Sequence, residues 1–409
     1  MLQIADPWER VAVAAADTGL RAIAALRRRR ARPEVSRVRR VLVLRLERIG
    51  DLLMSLPALY ALRERVPSAA IDLVVGSWNQ ELARLIAGID SVESMDATWL
   101  ARGAGGQGWA SLARQARGWR SRRYDLAVNL EGDIRSNMLL GLAGAAWTAG
   151  FGMAGGGPLL DDCVPFDPRS HTAVNGVRLV SAALGERVGD DAPMEGRDAA
   201  SRLPRSALTI PASAIEEAGR LLSRADARPD GAPLVGLHVG AGRAIKEWPV
   251  ARMAEIGSWA ARELGAALVL TGGRGDQAAA QRLQDALAPA AVINLAGAAG
   301  LLPLAAVLSR LVLFVTPDTG PMHLAATVGT PLVAVFGPSS PDRWGPLSRR
   351  CAVVRIDLPC SPCNRIRDPP ARCLGHTPDC LEGIAAGRVI EAAKSVLRAE
   401  GEEDGDGSR

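Results

Sequence analysis

Apolar runs of strand length alternate with amphipathic stretches of helix length along most of the chain, and tight hairpin signals between them are absent. In the first half, residues 41–46, 70–75 and 124–130 read as buried strands, with a helix over 52–65 between the first two. The second half repeats the pattern. There, residues 234–239, 267–271, 292–295, 311–315 and 332–336 read as strands, and 251–264, 277–287 and 301–309 as helices. Strands joined through helices must pair in parallel, so each half predicts an open α/β sheet with helices on its faces. Residues 100–108, with four glycines, read as a loose excursion, and 186–232, rich in charge, Pro and Gly, as the connection between halves. Residues 381–398 close the chain as a helix, and 402–409 form an acidic tail too polar to pack. The expected division is a basic extension over 1–40, a first α/β domain over 41–200, a linker over 201–232, a second such domain over 233–398, and the tail from 399.

On a helical wheel, residues 8–28 place Trp8, Val11, Ala12, Ala15, Ala22, Ile23 and Leu26 on one side, with Arg10, Arg21 and Arg28 opposite. Two readings stay open. The segment either rests on an anionic bilayer surface or packs as an extra helix on the first domain, with Gly19 and the small alanines weakening the first.

Composition narrows the class. With 409 residues, 48% hydrophobic and 4% aromatic, this is an α/β protein packed with Ala and Leu and large enough for two or three domains. The net charge of +5 is local, since residues 1–40 carry ten arginines against four acids and leave the remainder close to neutral. A neutral body argues against nucleic acid as partner. There is no run of eighteen apolar residues for a membrane span, and the arginine cluster follows the N-terminal apolar stretch, the reverse of a secretory signal. A cytoplasmic location, peripheral on the inner face of the inner membrane if the first segment binds lipid, is the expectation. Six free thiols would fit that reducing compartment.

The densest chemistry lies at residues 311–346. Pro317 ends the ladder of the preceding strand, Asp318, Thr319 and Gly320 are capping residues, Pro321 suits the first helical turn, and Gly329 with Pro331 marks the stop. Free amides at such a helix start, with a glycine permitting close approach and His323 adding a donor, make a phosphate site. Asp51, just after the first strand, stands where open α/β sheets place ligands, although capping the next helix would explain it as well. Lys246 follows the loop Gly240-Ala241-Gly242, from which a flexible ammonium can reach a diphosphate. Asp276, after Gly272 and Gly273, is placed to accept from ribose hydroxyls, and Glu131 and Asp133, after another strand, to contact an acceptor. Cys360, Cys363, Cys373 and Cys380 have spacings that permit a structural zinc site, with unpaired thiols as the alternative.

The chain resembles glycosyltransferase family nine, the bacterial heptosyltransferases of lipopolysaccharide core synthesis. The resemblance rests on the run from Asp318 to His323, on Phe336-Gly337-Pro338, Arg343-Trp344-Gly345-Pro346 and Lys246-Glu247-Trp248-Pro249, and on residues 45–57, and it spans roughly residues 41–390. It implies the GT-B fold, two Rossmann-like domains facing a cleft, and inverting transfer from a nucleotide sugar such as ADP-heptose to a lipid-linked saccharide. It also implies Asp51 as general base, and Lys246, Thr319, Gly320 and His323 as neutralising the departing diphosphate, with no required cofactor. Asp276 departs from the family's usual Glu, and Glu131-Gly132 from its usual Gln-Gly. A UDP-hexose donor, or a non-catalytic nucleotide-sugar binder at the membrane, are the rival readings. An Asp-x-Asp metal motif occurs only in the tail, at Asp404 and Asp406, which disfavours the metal-dependent GT-A type of transfer.

Overall fold

Strands that read as continuous apolar runs need cover on both faces, and in the computed structural model they have it. The structure describes residues 6–25, 30–100, 105–186, 208–223, 231–366 and 368–403. Leu26, Arg28, residues 101–104 of the 100–108 excursion, much of the 186–232 connection and the tail from 404 lie outside those residues.

The chain divides into two compact units, Met1–Pro204 and Arg205–Arg409. Among the described residues of the first unit, six strands form one sheet. These are β1 (Arg40–Arg45), β2 (Ala70–Val75), β3 (Ser91–Ser94), β4 (Leu126–Asn129), β5 (Trp147–Phe151) and β6 (Asp162–Val164), all parallel, in the order β3-β2-β1-β4-β5-β6. The second unit repeats the plan with β7 (Leu234–His238), β8 (Ala267–Thr271), β9 (Val292–Asn294), β10 (Leu313–Pro317), β11 (Leu332–Val335) and β12 (Cys351–Val354), in the order β12-β11-β10-β7-β8-β9. Both are the doubly wound order in which chain direction across the sheet reverses once, between β1 and β4 and between β7 and β10. Each unit has its own apolar core, with Leu42, Leu44, Ala127, Leu140 and Trp119 in the first and Leu237, Trp248, Ile256, Leu270 and Val389 in the second.

Several elements differ from expectation for local reasons. The helix expected over 52–65 begins earlier and is split into Ile49–Met54 and Leu56–Arg65. Pro57 has no N–H for the carbonyl of Leu53, and the Ser55 hydroxyl bonds the Asp51 carbonyl at 2.8 Å, so the ladder breaks between them. Pro317 does not stop β10 short but is its last residue, paired with Val335, because a strand end does not need the missing donor. Strands β3, β6 and β12, half-covered edge strands, carry too weak an apolar signal to read in sequence. Within the supposed connection, Ala212–Leu222 is a helix packed on Leu301–Leu308. The closing helix runs Ala386–Glu403 and so includes the first residues of the expected tail.

The N-terminal helix, Pro7–Ala25, does pack on the first unit, but by the face not expected. Asp17 is buried and accepts from the Gly156 amide at 2.7 Å, while Val13 lies over Gly155. The predicted apolar stripe points away: Trp8 is 82% and Val11 63% exposed, and Ala12, Ala15 and Ala22 are exposed with them. Among the described residues no helix is long and apolar enough to cross a membrane.

Candidate functional site

In a doubly wound sheet the loops leaving the two central strands diverge to opposite faces, and the gap at their carboxyl ends accepts ligands. In the second unit that gap lies beyond β7 and β10, and the residues singled out there meet. Lys246 ends a short 3-10 turn after β7, and its ammonium lies 2.6 Å from the Asp318 carboxylate, just past β10. Asp318 also accepts the Ser339 hydroxyl from the loop after β11, and the pair is largely buried. One donor of a three-donor ammonium is thereby fixed by a carboxylate that is itself held, so the remaining two are oriented.

The next residue, Thr319, takes extended backbone angles at the start of the helix Gly320–Thr327. Its hydroxyl turns to Thr316 at 3.2 Å instead of capping the helix amides. Those amides and the positive end of the helix dipole are the phosphate-binding feature read from the sequence. Thr319 and His323 are buried, and Gly320 is half-buried.

Asp276 belongs to the same sheet end. Its carboxylate accepts from the Gly273 amide at 2.7 Å and lies directly over Gly240, where an added Cβ would stand 2.0 Å from Oδ2. Only glycine admits this contact. Beneath it His238, the last residue of β7, is buried against Thr271 at 2.9 Å, and burial pushes its imidazole down to about 4, which keeps it neutral. The sequence reading missed His238 and Ser339. Histidine closing an otherwise apolar strand was the available signal for the first; nothing local marked the second.

In the first unit the corresponding gap lies beyond β1 and β4. Asp51 sits in the first turn of Ile49–Met54, where one oxygen accepts from the Arg48 amide at 3.1 Å and the other lies 3.6 Å from the Arg45 guanidinium. It therefore caps the helix and still keeps its side chain 27% exposed. Arg45, not singled out in the sequence, is the hub. Its side chain is 4% exposed, pairs with Glu47 at 3.0 Å, and donates to the carbonyls of Leu130 at 2.7 Å and Asp51 at 3.1 Å.

Other candidates are engaged elsewhere. Glu131 is buried under the end of β1, with Oε1 accepting from the Leu46 amide, so it does not stand open to an acceptor. Asp133 caps the helix Ile134–Leu142 and is clamped by Arg135 at 2.8 and 2.9 Å, a structural duty for both its oxygens. His171 is a buried cap of Thr172–Ala183, and Arg178 bonds Ser170. Trp248 is a core residue whose indole donates to the Ile384 carbonyl.

Cys360, Cys363, Cys373 and Cys380 line one small cavity of about 20 Å³, and burial, reinforced by the other three thiols, pushes Cys380 up to about 11. Among the described residues, however, no three His, Cys, Asp or Glu side chains stand in an arrangement that would hold a metal ion. His376, between the last two cysteines, is turned to the carbonyls of Arg372 and Thr377. As placed, these residues do not form a ligand set.

Comparison with known proteins adds relatives over almost the whole length. The lipopolysaccharide heptosyltransferase 2 of Salmonella typhimurium is 28% identical over 368 residues, covering 88% of this chain and 99% of its own. The lipopolysaccharide heptosyltransferase 1 of Pseudomonas aeruginosa is 27% identical, covering 79% of this chain and 86% of its own. Among solved structures, a family 9 glycosyltransferase from Veillonella parvula superposes with a TM-score of 0.73 at 24% identity, covering 90% of this chain and 99% of that one. The ADP-heptose LPS heptosyltransferase II of Escherichia coli gives a TM-score of 0.69 at 23% identity, covering 88% and 99%. With two such parallel-sheet units the fold is GT-B. The family description glycosyltransferase family 9 (heptosyltransferase) matches residues 112–372, well over half of the chain, and the chain therefore belongs to that family of glycosyltransferases.

Proposed function

We propose that this glycosyltransferase moves a heptose from ADP-heptose to a lipopolysaccharide-core or similar lipid-linked saccharide, with inversion and without a required metal. The observation that carries the donor half is the Lys246–Asp318 pair beside the start of Gly320–Thr327: a fixed cation and the amide end of a helix suit a pyrophosphate. The sugar rests on the relatives, which are named for heptosyl transfer, and the nucleotide on the solved Escherichia coli structure named for ADP-heptose. In the reaction Asp51 takes the proton from the acceptor hydroxyl as the oxygen attacks the anomeric carbon. The bond to the diphosphate breaks through an oxocarbenium-like state, and the departing charge falls on Lys246 and the amides. Asp276 and the Gly240 loop are assigned to the ribose.

The test is a donor screen on the purified protein. ADP-heptose at a hundred times its Kd should stabilise the fold by about 2.7 kcal/mol, a shift of several degrees in Tm, and should be consumed when acceptor is added. A response to UDP sugars alone would favour a UDP-hexose transferase, and binding without turnover a nucleotide-sugar binder. Stabilisation by none of the ADP, UDP or GDP sugars would defeat the reading.

We infer further that the outward stripe of Pro7–Ala25 meets an anionic bilayer surface, where the lipid-linked acceptor resides. Support comes from two large apolar side chains held in solvent by a helix anchored through its other face, with exposed Arg10 and Arg21 on the same helix. Trp8→Ala with Val11→Asp should reduce co-sedimentation with anionic vesicles by about tenfold or more, given roughly 1.5 to 3 kcal/mol for each large apolar side chain buried. Unchanged sedimentation of the double variant would end the idea.

A further inference from the structure

Loops that leave two non-neighbouring strands meet above the first sheet. The guanidinium of Arg135, in the first turn of the helix after β4, lies 4.9 Å over the ring of Trp99, in the loop after β3. In the order β3-β2-β1-β4 two strands stand between them, a span of roughly 14 Å over three strand spacings, so the loop crosses the carboxyl ends of β2 and β1. Asp96 pins it on the way, accepting from the Ser77 amide at 2.7 Å just past β2. The stem of the loop is also fixed. Ala97 bridges Gln107, whose side chain accepts from the Asp96 amide at 3.0 Å, and Gly106 takes φ +142° with Thr98 where a Cβ would stand.

This loop brings aromatic faces to the sheet end that holds Asp51. Trp109, which starts the helix Trp109–Gly118, has its ring centre 6.2 Å from that of Trp99 and is 40% exposed. The Trp99 indole N–H is enclosed without an acceptor among the described residues, and Arg135 spends Nε and Nη2 on Asp133, which leaves Nη1 for another oxygen. Nearer Asp51, Trp78 donates its indole N–H to the Glu47 carbonyl at 2.8 Å, and its ring lies 5.8 Å from the guanidinium of Arg48, whose amide holds Asp51. Arg45, Arg48 and Arg135 stand beside Glu47, Asp51 and Asp133, so the strip has no surplus of positive charge with which to attract a bare anion. Aromatic faces are weakly negative and the C–H face of a sugar ring is weakly positive. A hydroxyl-rich ring is therefore the ligand that such a surface suits.

Resting on the reading of a lipid-linked saccharide as acceptor, we propose that this strip is the saccharide's binding surface, with a sugar ring stacked on Trp109 beside Trp99, its hydroxyls bonded to Arg135, and the reactive end passing Trp78 and Arg48 to reach Asp51. The outer end of the strip adjoins the helix Pro7–Ala25, because Val13 of that helix and Ile134, the residue before Arg135, both crowd Gly155. A saccharide bound here has its lipid on the side of Trp8 and Val11, the exposed apolar residues of the same helix.

The experiment titrates the full chain, with ADP present, with delipidated lipopolysaccharide core saccharide and follows binding by calorimetry. Trp109→Leu keeps apolar bulk but removes the ring, and should weaken saccharide binding about tenfold with Tm and ADP affinity unchanged. Trp109→Phe restores a ring and should recover most of the loss. Arg135→Gln should also weaken binding about tenfold, and a large excess of inorganic phosphate should not displace the saccharide. In turnover the loss should appear in the acceptor KM, with the donor KM unaltered. Wild-type affinity in Trp109→Leu or in Arg135→Gln, a loss that Trp109→Phe does not repair, displacement by phosphate, or no saccharide binding by the wild type overturns the proposal. Failure of the heptosyl-transfer reading would show instead in the donor screen, as ADP-heptose neither bound nor consumed.

Discussion

Asp51→Asn should lower turnover by a factor of about 10² to 10⁴ and leave donor binding intact, the range expected when a general base is removed. Asparagine is the informative replacement because its amide oxygen can still accept from the Arg48 amide, which holds the first turn of Ile49–Met54 at 3.1 Å. The cap survives and the proton acceptor does not. Loss of the negative charge near the helix start should change stability by no more than about 1 kcal/mol. Single-turnover transfer, set beside calorimetric donor binding, separates the two duties of this carboxylate. Transfer within threefold of wild type would leave Asp51 as a cap and nothing more.

Lys246→Met should weaken donor binding and transfer together, by about 3 to 4 kcal/mol in the transition state, a factor of several hundred. It should also destabilise the fold, since Asp318 would be left buried with the Ser339 hydroxyl but without its cation, a loss of about 3 to 5 kcal/mol for a broken buried pair. The two effects can be separated. Adding Asp318→Asn removes the stranded charge, so the double variant should regain most of the lost Tm while donor affinity remains poor. Recovery of affinity along with stability would mean that Lys246 serves the fold and not the diphosphate.

Much of the architecture was legible because a parallel sheet buried on both faces requires long apolar strands, and β1, β2, β7, β8 and β11 supply them. Edge strands such as β3, β6 and β12 have a neighbour on one side only, tolerate polar residues, and could not be seen. The candidate residues of the second unit were legible for the same reason: Lys246, Asp276 and Asp318 each follow a strong strand, and topology brings those strand ends together. Glu131 and Asp133 follow a strand as clearly as these, yet the structure engages both within their own unit. Position after a strand says where a side chain starts; its neighbours decide whether it faces a ligand, a helix start or the core.

The amino-acid order alone therefore determined the alternation of strands and helices, the doubling of the α/β plan and the loops that carry chemistry, because these depend on local periodicity and on the backbone limits of Pro and Gly. Pairings between residues far apart were decided only on folding: Lys246 with Asp318, Asp276 over Gly240, Arg45 with the Leu130 carbonyl, and the N-terminal helix turned so that Asp17 is buried and Trp8 is not. Such pairings arise from burial, close packing and charge compensation across tens of residues, and no pattern along the chain encodes which partner a buried group will find.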